Sequence, residues 1–212
     1  MTRTTGFETL NGFPREEINL ANWRTRPYSF WSFRHVSEMV RSARIGSGDG
    51  AALPAPVDNP DLLSRRASPE ASASALELLT LSQTDSFIVS KNGAIVCEWH
   101  APGIDREDPH LVFSISKSIT ALVADILQDH GMLDPAATVG SIVPEAGKSA
   151  YADATVQNLL DMRVSLDFDE SYLSQETYAR YRRAMSWNPP SPEGQYQAML
   201  SFLCGLEKAA GP

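Results

Sequence analysis

A serine stands three residues before a lysine in F-S-I-S-K-S-I-T, residues 113 to 120, at the start of an apolar run. A serine hydroxyl is a poor nucleophile until a neighbouring base takes its proton. A lysine can do so only as the neutral amine, and moving its pKa from ~10.4 to ~7.5 costs about 4 kcal/mol, supplied by burial and positive potential. The apolar residues around Lys117, Ile115 and Ile119 among them, push in that direction. On a helix, residues three apart share a side, so Ser114 adjoins Lys117 while Ser116 and Ser118 point elsewhere. Ser114 would also open the helix, where unpaired N–H groups and the dipole favour developing negative charge. Ser114 is therefore the candidate nucleophile.

The spacing alone is weak evidence. With 23 serines and 4 lysines in 212 residues, about 0.4 accidental S-x-x-K matches are expected. Its position at the opening of an apolar helix, after a hairpin and a short loop, adds weight. Other catalytic layouts do worse. The sequence has no G-x-S-x-G, no H-E-x-x-H and no glycine-rich loop ending in GK[ST]. Gly46, Gly48 and Gly50 lack the preceding strand that a dinucleotide loop needs. His35, His100, His110 and His130 have no metal-ligand spacing and read as surface or capping histidines. Cys97 and Cys204 form no CxxC pattern, so neither a disulfide framework nor a zinc site is indicated. No metal and no cofactor are expected.

Several elements would position the pair. Residues 86–100 contain two strand-like runs flanking Asn92-Gly93, a preferred tight-turn pair. After a polar loop, Ile115, Ile119, Leu122, Val123, Ile126 and Leu127 recur at spacings of three and four, one apolar stripe of a helix that Gly131 would end. Ser68-Pro69-Glu70 reads as the start of a helix running to about Leu81. Thr155 should cap a helix reaching Met162, and a further helix is expected over 192–208. Three segments result: an irregular, aromatic-rich N-terminal arm (1–67), the N-terminal part of an α/β domain with hairpin and S-x-x-K helix (68–135), and part of a helical domain (136–212). The aromatic arm from Trp23 to Phe33 is expected to clasp its own core rather than a neighbouring subunit.

The net charge of −8 and pI near 5.0 argue against nucleic acid or an anionic membrane as partner, since those surfaces are held by excess Lys and Arg. The single basic cluster, Arg180, Arg182 and Arg183, reads as a solvated helix face. The N-terminus lacks a signal-peptide layout and no apolar run reaches ~18 residues. The expected compartment is the cytoplasm.

Longer stretches carry a resemblance. F-S-I-S-K-S-I-T-A-L-V, then H-G-M-L-D-P, V-P-E and T-V-Q-N-L-L-D-M, resemble the serine β-lactamase and penicillin-binding-protein superfamily, and within it the class C-like serine hydrolases. D-M-R-V-S-L-D-F-D-E-S-Y (161–172) and W-R-T-R-P-Y-S-F-W-S-F-R-H-V-S-E-M-V (23–40) look like the 6-aminohexanoate-dimer, or nylon-oligomer, hydrolase branch. The resemblance implies an α/β (α+β) fold, with an antiparallel sheet flanked by helices and a mostly helical domain. It implies that Ser114 carries the acyl group, that Lys117 is base or proton relay, and that the Ser114 N–H is half of an oxyanion hole. Tyr172 would be a substrate-contacting loop tyrosine, and the substrate a small amide or ester.

Two family parts lack a match: a Y-x-N or Y-x-S tyrosine well after the S-x-x-K helix, and a late K-T-G or H-x-G strand. Tyr172-Leu173-Ser174 comes too early, and Tyr196-Gln197-Ala198 departs from the pattern. The sequence thus resembles the N-terminal part of such an enzyme, with the sheet incomplete for want of C-terminal strands. Loss of those parts would cost ~10²- to 10⁴-fold for the base and ~10²- to 10³-fold for an oxyanion donor. The isolated chain should be weak or inactive, its apolar sheet edge should be exposed, and a C-terminal complementing chain is a further expected partner. The alternatives are an esterase or β-lactamase-like enzyme, and a non-catalytic pseudoenzyme or binding fragment.

Overall fold

The computed structural model describes residues 6–43, 45, 55, 57–66, 68–172, 176–191, 193–194 and 197–210. Gly46, Gly48 and Gly50, together with Ser174 and Tyr196, lie outside them. In chain order the helices and strands are α1 (Gly6–Asn11), α2 (Ser29–Ser32), α3 (Pro60–Ser64), α4 (Ala75–Leu81), β1 (Ser86–Lys91), β2 (Ala94–His100), α5 (Ile115–Asp129), α6 (Val139–Ile142), α7 (Val156–Leu160), α8 (Thr177–Ala184) and α9 (Met199–Cys204). The class is α/β, with a two-stranded antiparallel sheet and several helices.

The hairpin forms as its turn residues require. Asn92 and Gly93 both adopt positive φ, 53° and 80°, the two left-handed positions of a turn whose twist suits antiparallel strands. The ladder runs from Ser86 opposite His100 to Lys91 opposite Ala94, with an irregularity between Val89 and Ser90. The outer edge of β2 is covered, because Glu98 N donates to Val57 O at 2.8 Å and Asn59 Nδ2 to Val96 O at 3.0 Å.

Helix α5 follows the predicted stripe, and Gly131 (φ 67°) follows its end. Thr155 caps α7 reciprocally with Asn158. Helix α4 starts later than predicted: Ser74, not Ser68, is the cap, and Ser74 and Glu77 satisfy each other's backbone N–H groups. Ser68 closes only a turn onto Ala71. Two caps competed locally, and the one with a glutamate three residues on won. Among the described residues, the helix expected over 192–208 is confined to α9.

Among the described residues, two small cores hold these pieces. The first gathers Phe13, Ile18, Trp23 and Trp31, with Phe33, Leu111 and Trp187 against it. The arm therefore packs on its own chain. The second joins Val139, Ala146 and Ala154 to Tyr151, Val164 and Cys204.

Candidate active site

Ser114 occupies the N-cap position of α5, with φ −67° and ψ −10°, and its hydroxyl makes no capping bond. Lys117 Nζ instead donates to Ser114 Oγ across 3.0 Å. The i, i+3 geometry of the first helical turn brings them together. The neighbouring serines are turned away from this arrangement. Ser116 Oγ donates to the Phe113 carbonyl at 2.7 Å, and Ser118 has no side-chain hydrogen bond among the described residues. The first N–H groups of the helix close tight turns, Ile115 onto Val112, Ser116 onto Phe113 and Lys117 onto Ser114. The Ser114 N–H itself donates to no acceptor among the described residues.

The residue before the serine is held in an unusual shape. Phe113 has φ 45°, a left-handed conformation that costs a bulky residue of order 1–3 kcal/mol and persists only where packing enforces it. Its ring lies edge-on to Phe33 at 5.1 Å and to Trp187 at 5.5 Å. The approaching loop is tied down as well. Leu111 N donates to Phe33 O at 2.8 Å, Arg34 pairs with Asp108 at 2.7 Å, and His110 Nε2 meets Asp85 Oδ2 at 2.9 Å. The aromatic arm thereby fixes the turn that presents Ser114. Nothing in the sequence marked Phe113 or Trp187 for this work, since a left-handed phenylalanine and a contact across 74 residues leave no local pattern.

Among the described residues, the burial expected around Lys117 is absent. Ser114 and Lys117 are solvent-exposed, and Ile115 and Ile119 point outward at more than half their full exposure. Among the described residues, too little packs on the apolar stripe of α5 to remove water from the amine.

Tyr172 is 76% exposed, with its ring 4.9 Å from Tyr178. No hydrogen bond or ring contact among the described residues joins it to the Ser114–Lys117 pair. Arg182 corrects the expectation of a solvated basic face: it is buried, its Nη1 donates to Tyr172 O at 3.0 Å, and its guanidinium lies 5.1 Å from the Tyr178 ring. Burial, then the charge and hydroxyl of Tyr172 beside it, push the Tyr178 phenol up to about 12. His35 and His100 make structural contacts. His35 stacks on Trp31, and His100 bridges Ser86 and Glu98. No group of three His, Cys, Asp or Glu side chains among the described residues could hold a metal ion. No helix among them is long and apolar enough to cross a membrane.

The β-lactamase family profile matches residues 82–207, which include both strands, Ser114, Lys117 and Tyr172. The chain belongs to the β-lactamase family. Among curated proteins this β-lactamase-family chain is similar to the 6-aminohexanoate-dimer hydrolase of Paenarthrobacter ureafaciens, 31% identical over 196 residues, covering 92% of this chain and 48% of that protein. Among solved structures it resembles one from Bacillus anthracis, provisionally named a 6-aminohexanoate-dimer hydrolase. That likeness has a TM-score of 0.79 and 23% identity, and covers 94% of this chain and 53% of the other. The second likeness establishes the β-lactamase-like fold. The chain spans about half the length of both relatives.

Proposed function

We propose that this chain supplies the nucleophile of a serine hydrolase that cleaves small amides or esters through an acyl-enzyme on Ser114. The observation that carries the reading is the 3.0 Å hydrogen bond between Lys117 Nζ and Ser114 Oγ at the mouth of α5. In the reaction, neutral Lys117 takes the Ser114 hydroxyl proton as Oγ bonds to the substrate carbonyl carbon. The carbonyl electrons move to oxygen, near the helix N-terminus and the Ser114 N–H, which has no acceptor among the described residues, where a developing oxyanion is favoured. Collapse breaks the C–N or C–O bond, and the lysine's proton goes to the leaving amine or alcohol. Water then attacks the ester on Ser114, and the acid and free serine are released. Tyr172 would contact substrate from its exposed loop, held from behind by Arg182. The proposed substrate class is supported by the name of the Paenarthrobacter relative, a 6-aminohexanoate-dimer hydrolase. The compartment we propose is the cytoplasm.

A second reading, a non-catalytic member of the fold, has one observation in its favour. Lys117 is solvent-exposed here, whereas catalysis of this kind works in a site from which water is excluded. A fluorophosphonate probe separates the two readings. Mass spectrometry should locate the adduct on Ser114, absent in Ser114→Ala. No adduct on Ser114, even with the rest of a family hydrolase supplied, would leave the non-catalytic reading.

A further inference from the structure

Side chains two residues apart on a strand share a face, and so do partners directly opposite across a ladder. Glu98 and His100 are two apart on β2, and Ser86 on β1 stands opposite His100. The hairpin therefore sets a carboxylate, an imidazole and a hydroxyl side by side. Their contacts form a chain. Ser86 Oγ lies 2.9 Å from His100 Nδ1, and His100 Nε2 lies 2.8 Å from Glu98 Oε1. The acid end is buried and the serine end is open: the Glu98 side chain is 3% exposed, that of His100 20%, and Ser86 is exposed. Arg106 anchors the acid, its Nε and Nη2 donating to Oε1 and Oε2. These bonds fix the direction of the proton. The hydrogen bond from His100, and then those from Arg106, keep Glu98 ionised against burial, and an ionised carboxylate only accepts. His100 Nε2 must then carry the N–H. In the neutral ring the lone pair falls on Nδ1, where the Ser86 hydroxyl donates to it. Nucleophile, base and orienting acid are defined by these roles and not by their order in the sequence.

We propose that Ser86 is a second activated serine of this chain, separate from Ser114, which accepts acyl groups from activated esters with His100 as its base and Glu98 positioning the ring. In the step, Ser86 Oγ bonds to the ester carbonyl carbon as its proton passes to His100 Nδ1. The carbonyl electrons move to oxygen and return as the C–O bond to the leaving group breaks. The acyl group stays on Ser86, and the imidazolium gives its extra proton to water. A phenolate departs without first taking a proton, so an aryl ester suits a site that supplies nucleophile, base and orienter. Ile88 lies two residues along β1 from Ser86, on the same face, and is 55% exposed, offering apolar surface to the aryl ring. The proposal does not rest on the chemistry proposed for Ser114.

The test uses the chain carrying Ser114→Ala, so that its failure leaves the reading of Ser114 untouched. The protein is treated with p-nitrophenyl acetate, and acetyl groups are located over time by tandem mass spectrometry. Ser90, also exposed on β1, is the internal reference. Ser86 should gain acetyl about 10²-fold faster than Ser90, and His100→Gln should remove that advantage. Equal rates at the two serines overturn the proposal, as does acetyl carried by the His100 ring in place of Ser86. Nitrogen-15 NMR of His100 reads the arrangement with the hairpin unaltered. The neutral ring should hold its proton on Nε2, and a proton on Nδ1 instead overturns the proposal. Glu98→Gln separates positioning from support of the fold. Its amide also donates, so the ring should lose its preference for the Nε2–H tautomer and acetylation of Ser86 should slow at least about tenfold. A Glu98→Gln protein that keeps both the tautomer and the rate would remove Glu98 from the arrangement and overturn the three-residue assignment.

Discussion

The indole N–H of Trp23 donates to the backbone carbonyl of Trp187 over 2.9 Å, joining residues 164 positions apart. Trp23 is fully buried, and its ring stands edge-on to both Phe33 and Trp187. Phe113 touches the same two rings. The arm is thus the wall against which the Ser114 turn is built. Trp23→Phe keeps a ring but strands a carbonyl, so it should destabilise the chain by about 1–3 kcal/mol. Urea unfolding reads this directly, and an unchanged midpoint would refute it.

Lys117→Arg tests the base. Arginine keeps the positive charge and much of the length, yet it cannot give up its proton. In a complete, active form of the enzyme, kcat/KM should fall by ~10²- to 10⁴-fold, with Lys117→Ala in the same range. A variant that hydrolyses amides or esters at the parent rate would remove Lys117 from the role proposed for it.

Glu98 predicts the acid limb of stability. His100 Nε2 lies 2.8 Å from Oε1, and Arg106 donates to both oxygens at 2.8 and 3.0 Å. The hydrogen bond from His100, and then those from Arg106, hold its carboxyl below the usual range against the opposing effect of burial. Asp108 is lowered likewise, chiefly by the Asp105 N–H and then by Arg34. A depressed folded pKa gives stability that is present above the unfolded value of ~4 and lost as pH falls through the folded one. The melting temperature should therefore drop below about pH 4. Glu98→Gln should melt lower at neutral pH but lose less on acidification. Parallel curves for the two proteins would exclude Glu98 as a source of the acid limb.

Tyr178 should titrate late. Burial and the Tyr172 phenol push it up to about 12, so ultraviolet titration should show a phenol still protonated well above the ordinary ~10. Tyr178→Phe should delete that late step. If the latest step survives in the variant, the packing of Tyr172, Tyr178 and Arg182 differs from that described. Arg182→Ala should release the Tyr172 carbonyl; if Tyr172 contacts substrate as proposed, KM of a complete, active form of the enzyme should rise more than kcat falls.

Local rules carried a good deal of this protein. Asn92-Gly93 demanded left-handed backbone and produced the hairpin. The spacing from Ile115 to Leu127 produced α5, and the same helical period put Lys117 beside Ser114, three residues away. The motifs around them were enough to indicate the family. Each of these depends on interactions within a few residues, which a sequence window contains.

Other features needed the fold. Ser74 displaced Ser68 as a cap because a glutamate was placed to answer it. Phe113 was forced left-handed by rings contributed from Phe33 and Trp187. Arg182 was drawn inward to the Tyr172 carbonyl, although its neighbours suggested a solvated face. The exposure of the α5 stripe ran against its own pattern: periodicity says which residues share a face, but whether anything covers that face depends on surfaces distant in sequence. Packing partners come from anywhere along the chain, so the environment of Lys117, unlike its distance from Ser114, was set by tertiary structure alone.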